Sequence, residues 1–173
     1  MRGLQRRKRC AAVVAGAAAL LVMTAGCSGS SAGGGTRETR GVSYWVDGAT
    51  VESVAKTLQV QVPATATEAK AAHLNGLQDD NLILAFVLPT AEVDGFVAGL
   101  KPEAPLRLRE QPLTFDSDAT APFTHLGLPA PDLLGQVREG QICAPCKGDL
   151  NWLKISVASV DGQNSRIYLS GVD

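Results

Sequence analysis

The residues with the most reactive side chains are four cysteines, Cys10, Cys27, Cys143 and Cys146. Cys143-Ala144-Pro145-Cys146, followed by Lys147, sets two thiols three positions apart. Such a pair closes a small disulfide in an oxidising compartment, attacks a substrate disulfide if one thiolate is stabilised, or supplies two ligands to zinc. The zinc option must recruit His73 and His125, the only histidines. Both are isolated in sequence, so each reads as a surface or partly buried side chain and the disulfide is the expectation. Asp79-Asp80 and Asp116-Ser117-Asp118 bring acids together, but a calcium loop needs more oxygen ligands at regular spacing and a glycine turn. They read as solvated turn acids. Trp45 and Trp152 have the flat faces of ligand platforms, weighed against places in or beside the core. No Gly-x-Ser-x-Gly elbow, phosphate-cradling glycine loop or His-Glu-x-x-His pair is present. No cofactor and no metal is expected.

The string Cys143-Ala144-Pro145-Cys146-Lys147 resembles the active-site motif of thioredoxin-like oxidoreductases. That resemblance implies a thiol of depressed pKa at a helix N-terminus, attacking substrate disulfides. The context departs from the family. Glu139 and Gly140 read as loop where a buried strand is required, and only 27 residues follow Cys146. The redox reading therefore stands as the alternative to a structural Cys143–Cys146 bridge.

The elements that must position these groups are legible in pieces. Val51, Val54, Ala55 and Leu58 fall on one helical face, with Thr50 or Asp47 as cap. Residues 64–78 fit either a helix or a strand; strand is favoured because the next segment needs sheet neighbours. That segment, Leu82–Leu88, is an apolar run of seven before Pro89, the pattern of a strand covered on both faces. Thr90 is placed to cap a second helix, whose Val93, Phe96, Val97 and Leu100 should be buried together against the strand. Lys101-Pro102 ends it. Six of the nine prolines then fall between Pro102 and Pro131, an irregular excursion with a short strand at Leu106–Arg109. A helical turn is expected at Asp132–Val137. Leu153–Val157 and Arg166–Ser170 alternate around the turn Asp161-Gly162-Gln163-Asn164, a β-hairpin. The expected fold is α+β: an antiparallel sheet of four or five strands, two helices on one face, and the Pro-rich excursion.

The N-terminus has a different character. Arg2, Arg6, Arg7, Lys8 and Arg9 precede an uncharged run, Ala11 to Gly26. Sixteen residues rise roughly 24 Å as a helix, short of the ~30 Å hydrocarbon core, so residues 1–26 read as a signal peptide. The run ends Met23-Thr24-Ala25-Gly26-Cys27, which resembles the lipobox of bacterial lipoproteins. That resemblance implies diacylglyceryl on Cys27 and cleavage before it; Thr24 stands where the family usually has Leu. Arg6-Arg7 is followed by Lys8-Arg9-Cys10 rather than apolar residues, so a general secretory signal is favoured over a twin-arginine one. Residues 27–41 form a Gly/Ser-rich tether reaching roughly 20 Å, and 42–173 a single domain. The segments Gln78-Asp79-Asp80 and Leu88-Pro89-Thr90-Ala91-Glu92-Val93-Asp94 look like those of small actinomycete lipoproteins, which implies a similar domain and export route but no activity.

After Gly26 the chain carries 11 basic residues against 17 acidic ones. That balance gives no basic footprint, so nucleic acid is not an expected partner. The expected location is the extracytoplasmic face of the cell membrane, held by lipid on Cys27, with an envelope or secreted protein as partner. The expected role is a non-catalytic binding or accessory domain; the alternative is a thiol-disulfide oxidoreductase using Cys143 and Cys146.

Overall fold

The computed structural model describes residues 42–113 and 122–173. Seven strands form one antiparallel sheet: β1 Tyr44–Trp45, β2 Thr67–Asn75, β3 Asn81–Pro89, β4 Arg107–Arg109, β5 Val137–Cys143, β6 Trp152–Ser159 and β7 Asn164–Val172. Their spatial order is β1-β2-β3-β7-β6-β5-β4. Two helices, α1 Val51–Thr57 and α2 Thr90–Leu100, complete an α+β fold.

The strand count exceeds the four or five expected, for two local reasons. β1 is an edge piece of two residues, too short for alternation to register, whereas the short strand expected at Leu106–Arg109 forms as β4. β5 was hidden by its composition. Glu139 and Gly140, expected in a loop, lie in its middle, paired with Ser156 and Ile155. Gly140 lets Leu106 pack close to the strand, where a Cβ would stand 2.7 Å from the Leu106 side-chain tip. The helical turn expected at Asp132–Val137 is a 3₁₀ turn at Pro131–Leu133, and Val137 already belongs to β5.

Strand β3 is the apolar axis of the sheet. Every residue from Leu82 to Leu88 is buried. Leu82, Leu84, Phe86 and Leu88 face one side and pack with Val54, Leu58, Val93 and Val97 of the helices. Ile83 and Ala85 face the other side. Residues 67–75 resolve as strand, and β2 lies beside β3 as its hydrogen-bonding neighbour. The terminal hairpin forms as expected, with Leu153, Ile155, Val157, Ile167 and Leu169 in the core on the helix side. Its turn is closed by Asp161, whose Oδ1 accepts from the Gln163 and Asn164 amides at 2.8 and 2.7 Å.

Both helices pack on that same side. Thr50, not Asp47, caps α1, in a reciprocal box with Ser53. Leu58 follows the helix and seats against β7, where a Cβ on Gly171 would come within 2.5 Å of it. At α2 the expected cap does not form. Pro89 holds the cap position with no side-chain bond, and the Thr90 hydroxyl lies 3.0 Å from that of Ser165. Lys101 closes the helix in a left-handed conformation. Of the four residues expected to bury together, Val93 and Val97 do, while Phe96 and Leu100 are half-buried. Phe96 meets Phe86 edge-on, with ring centroids 5.4 Å apart.

The two aromatic and aliphatic layers make different demands. Leu84→Ala should cost roughly 3 kcal/mol in urea unfolding, the range for a core truncation. Phe96→Ala should cost less, about 2 kcal/mol, because Phe96 is only partly buried. A larger loss at Phe96 than at Leu84 would contradict this layering.

Candidate functional site

Among the described residues, no α-helix covers the second sheet face. It is covered instead by the Pro-rich excursion, residues 122–134, and one side chain fastens that segment. Arg109, at the end of β4, is only 12 % exposed. Its Nε and Nη2 donate to the two Glu139 carboxylate oxygens at 3.1 and 3.2 Å. Nη2 also donates to the Pro131 carbonyl at 2.8 Å. Nη1 donates to the carbonyls of Gln111 at 3.0 Å and Leu134 at 2.7 Å, with a longer contact to Asp132. All five guanidinium N–H groups are engaged, and a segment without strands or α-helix has its carbonyls satisfied. Main-chain bonds from Leu113 to Asp132 and from Gln136 to Glu110 tie the same two stretches together.

Beyond this clamp, a 3₁₀ turn at Pro122–Leu126 lies across the sheet. Phe123 is buried and meets Tyr168 edge-on at 5.0 Å. Trp45 stacks flat on His125, with centroids 3.9 Å apart. The Lys70 ammonium donates to the Leu126 carbonyl at 3.0 Å. Ala72, Ile83, Ala85, Val137 and Ala158 form the dry cluster beneath, with Phe123, Leu128 and Tyr168.

Among the described residues, a cavity of about 540 Å³ lies between this cover and the sheet. Its Pro-rich wall is apolar apart from Asp132: Leu113, Pro122, Phe123, Ala130 and Pro131. Its floor is the inward-facing side of β5, β6 and β7 and is largely polar: Glu139, Gln141, Lys154, Ser156 and Ser170, beside Trp152 and Tyr168. Burial raises the Tyr168 pKa, against the opposing charge and hydrogen bond of Arg166. Lys154 is exposed, and its ammonium sits 5.1 Å from the centre of the Trp152 ring. Both tryptophans are half-buried, and Trp152 is the one that lines the cavity.

The residues singled out from sequence do not converge here. Cys143 and Cys146 form a disulfide, Cα atoms 4.9 Å apart, in the turn that leaves β5. Both sulfur-bearing residues pack against the helix-side core. The Ala144 amide donates to Glu103 at 2.7 Å, and Gln59 donates to the Lys147 carbonyl at 2.7 Å. The strand β6, not a helix, follows the bridge. His73 pairs with Asp80 at 2.6 Å near the end of β2, whereas His125 lies on the opposite sheet face from the cysteines. Among the described residues no three His, Cys, Asp or Glu side chains group to hold a metal. Asp80 differs from the expected solvated turn acid. Burial opposes its ionisation, but hydrogen bonds from His73, the Gly76 amide and Asn75, together with the field of His73, hold its carboxyl below the ordinary value. It also exchanges main-chain bonds with Asp173. Cys10, Cys27 and Asp116-Ser117-Asp118 lie outside the described residues.

Arg109, Glu139, Lys154, Ser156 and Ser170 were not anticipated. The available signal was polar residues at alternate positions on three strands that become neighbours only in the fold. The chain matches no protein-family model, no curated protein and no solved structure.

Removing the clamp exposes its worth. Arg109→Ala leaves Glu139 and several carbonyls unpaired in a confined space and should cost about 3–5 kcal/mol by denaturant unfolding. Arg109→Ala with Glu139→Gln should cost less than Arg109→Ala alone, because the stranded charge is gone. Additive losses would show that the pair does not act as a unit.

Proposed function

We propose that this chain is a lipid-anchored lipoprotein of the extracytoplasmic membrane face, whose domain binds a partner without performing catalysis. Anchoring rests on the sequence Met23-Thr24-Ala25-Gly26-Cys27 at the end of the uncharged run Ala11–Gly26. Two acyl chains make stable attachment where one does not. Among the described residues, no helix is long and apolar enough to cross a membrane. Binding rests on the cavity over β5, β6 and β7, within the usual size of small-molecule sites, about 300–1,000 Å³. Its hydroxyls, Ser156, Ser170 and Tyr168, have no histidine beside them in the lining to activate a nucleophile. An envelope or secreted protein is the other class of partner.

The alternative is a thiol-disulfide oxidoreductase, favoured by the Cys143–Cys146 bridge itself. Its turn exposes Ala144 and Pro145 to solvent while both cysteines are half-buried. Lys147 is the adjacent cation that would favour a thiolate.

Cys27→Ala should abolish metabolic labelling with palmitate and leave the protein unprocessed or shed. Labelled, membrane-bound mutant protein would refute the anchor.

The two roles of the bridge separate in an insulin-reduction assay with purified protein. The binding reading expects no turnover. It also expects Cys143→Ser/Cys146→Ser to lower stability by less than the ~3 kcal/mol of a 15-residue loop, since this loop is far shorter. Turnover lost in Cys143→Ser would establish the oxidoreductase.

A further inference from the structure

The floor of the cavity places three hydrogen-bond donors around one point. Lys154 on β6 pairs directly with Ser170 on β7, and directly opposed Cβ atoms in an antiparallel sheet stand about 4.5–5.5 Å apart. Ser156 lies two residues further along β6, on the same face, roughly 7 Å away. All three side chains line the cavity. No hydrogen bond ties up the two serine hydroxyls among the described residues, and the ammonium's only contact is the Trp152 ring.

The charges around this point are unevenly spent. Glu139 lies one cross-strand row away, paired with Ser156, and its carboxylate is held in both oxygens by Arg109. It therefore does not compete for Lys154, and no ion pair joins the two. Asp132 is the remaining acid of the lining, and it belongs to the Pro-rich wall rather than the floor. The wall above the donors is otherwise apolar, built by Phe123, Ala130 and Pro131 among others.

We propose that Lys154, Ser156 and Ser170 form an oxyanion-binding site, and that the cavity takes a small organic acid with an apolar, preferably aromatic, body. The acid group receives the ammonium and the two hydroxyls on the floor. Its ring lies against the apolar wall and the exposed side of Trp152. This assignment rests on the binding reading above and names the ligand class it requires. Carboxylate, sulfonate and phosphate share the chemistry; the size of the cavity limits the body to one or two rings or a short chain.

The test is a matched pair of probes, naphthalene carboxylate and naphthalene carboxamide, titrated calorimetrically into the full chain. The two have the same shape and differ in charge. The carboxylate should bind saturably and at least about tenfold more tightly than the amide, the worth of one charge-assisted hydrogen bond. Lys154→Gln should remove that difference. Because Lys154 is exposed, this variant should unfold like the parent. Ser156→Ala with Ser170→Ala should weaken the carboxylate by a smaller factor. Equal binding of both probes, indifferent to Lys154→Gln, would overturn the oxyanion site while leaving the cavity a binding site. Binding of neither probe would overturn the cavity as a small-molecule site and, with it, that part of the functional reading.

Discussion

A sheet whose central strand is apolar on both sides must be covered twice, and among the described residues the α-helices supply only one cover. The second cover is the Pro-rich excursion, and the Arg109 guanidinium is what makes it tolerable. Irregular backbone laid on a dry sheet brings carbonyls that neither strand nor helix satisfies, and each one left unpaired is costly. Arg109 meets three of them closely, at Gln111, Pro131 and Leu134, and neutralises Glu139 on the neighbouring strand. Burying that cation is expensive by itself. It is supported because every donor finds an acceptor and the carboxylate is engaged through both oxygens.

The same arrangement creates the cavity. The excursion is pinned at the β4–β5 edge by Arg109, and near β1 and β2 by the Trp45–His125 stack and the Lys70–Leu126 bond. Phe123 fills the space above Tyr168. Among the described residues no comparable side chain descends over the Trp152 end of β6, and the inward-facing Lys154, Ser156 and Ser170 line the cavity there. Pairing of Glu139 with Arg109 also settles the electrostatics, since a free carboxylate beside Lys154 would have closed the site with an internal ion pair.

The disulfide belongs to the other side of the molecule. Cys143 and Cys146 fasten the exit of β5 over the helix-side core, with Glu103 and Gln59 holding the turn from two directions. Asp80 does comparable work at the same end of the strands, joining the β2–β3 turn to the end of β7. The groups that look most reactive in the sequence thus hold the ends of strands, and the groups that line the cavity look ordinary when read in order.

What the sequence determined by itself was whatever depends on near neighbours. The helical spacing of Val51, Val54, Ala55 and Leu58, the apolar run Leu82–Leu88 and the Asp161–Asn164 turn are local patterns, and each element forms where its pattern stands. The Cys143–Cys146 bridge was legible for the same reason, because its partners are three residues apart. The tertiary structure alone decided the rest. Strand β5 carries Glu139 and Gly140, residues that oppose strand formation unless Arg109 and Leu106, some thirty positions earlier, are already beside them. Lys154 and Ser170 are sixteen residues apart and become neighbours only through the hairpin register. Asp80 changes from a solvated turn acid to a half-buried hub because His73 and Asp173 are brought to it. A cavity floor made from alternate residues of three strands has no linear spacing of its own; it exists once backbone hydrogen bonding fixes which residues stand opposite one another.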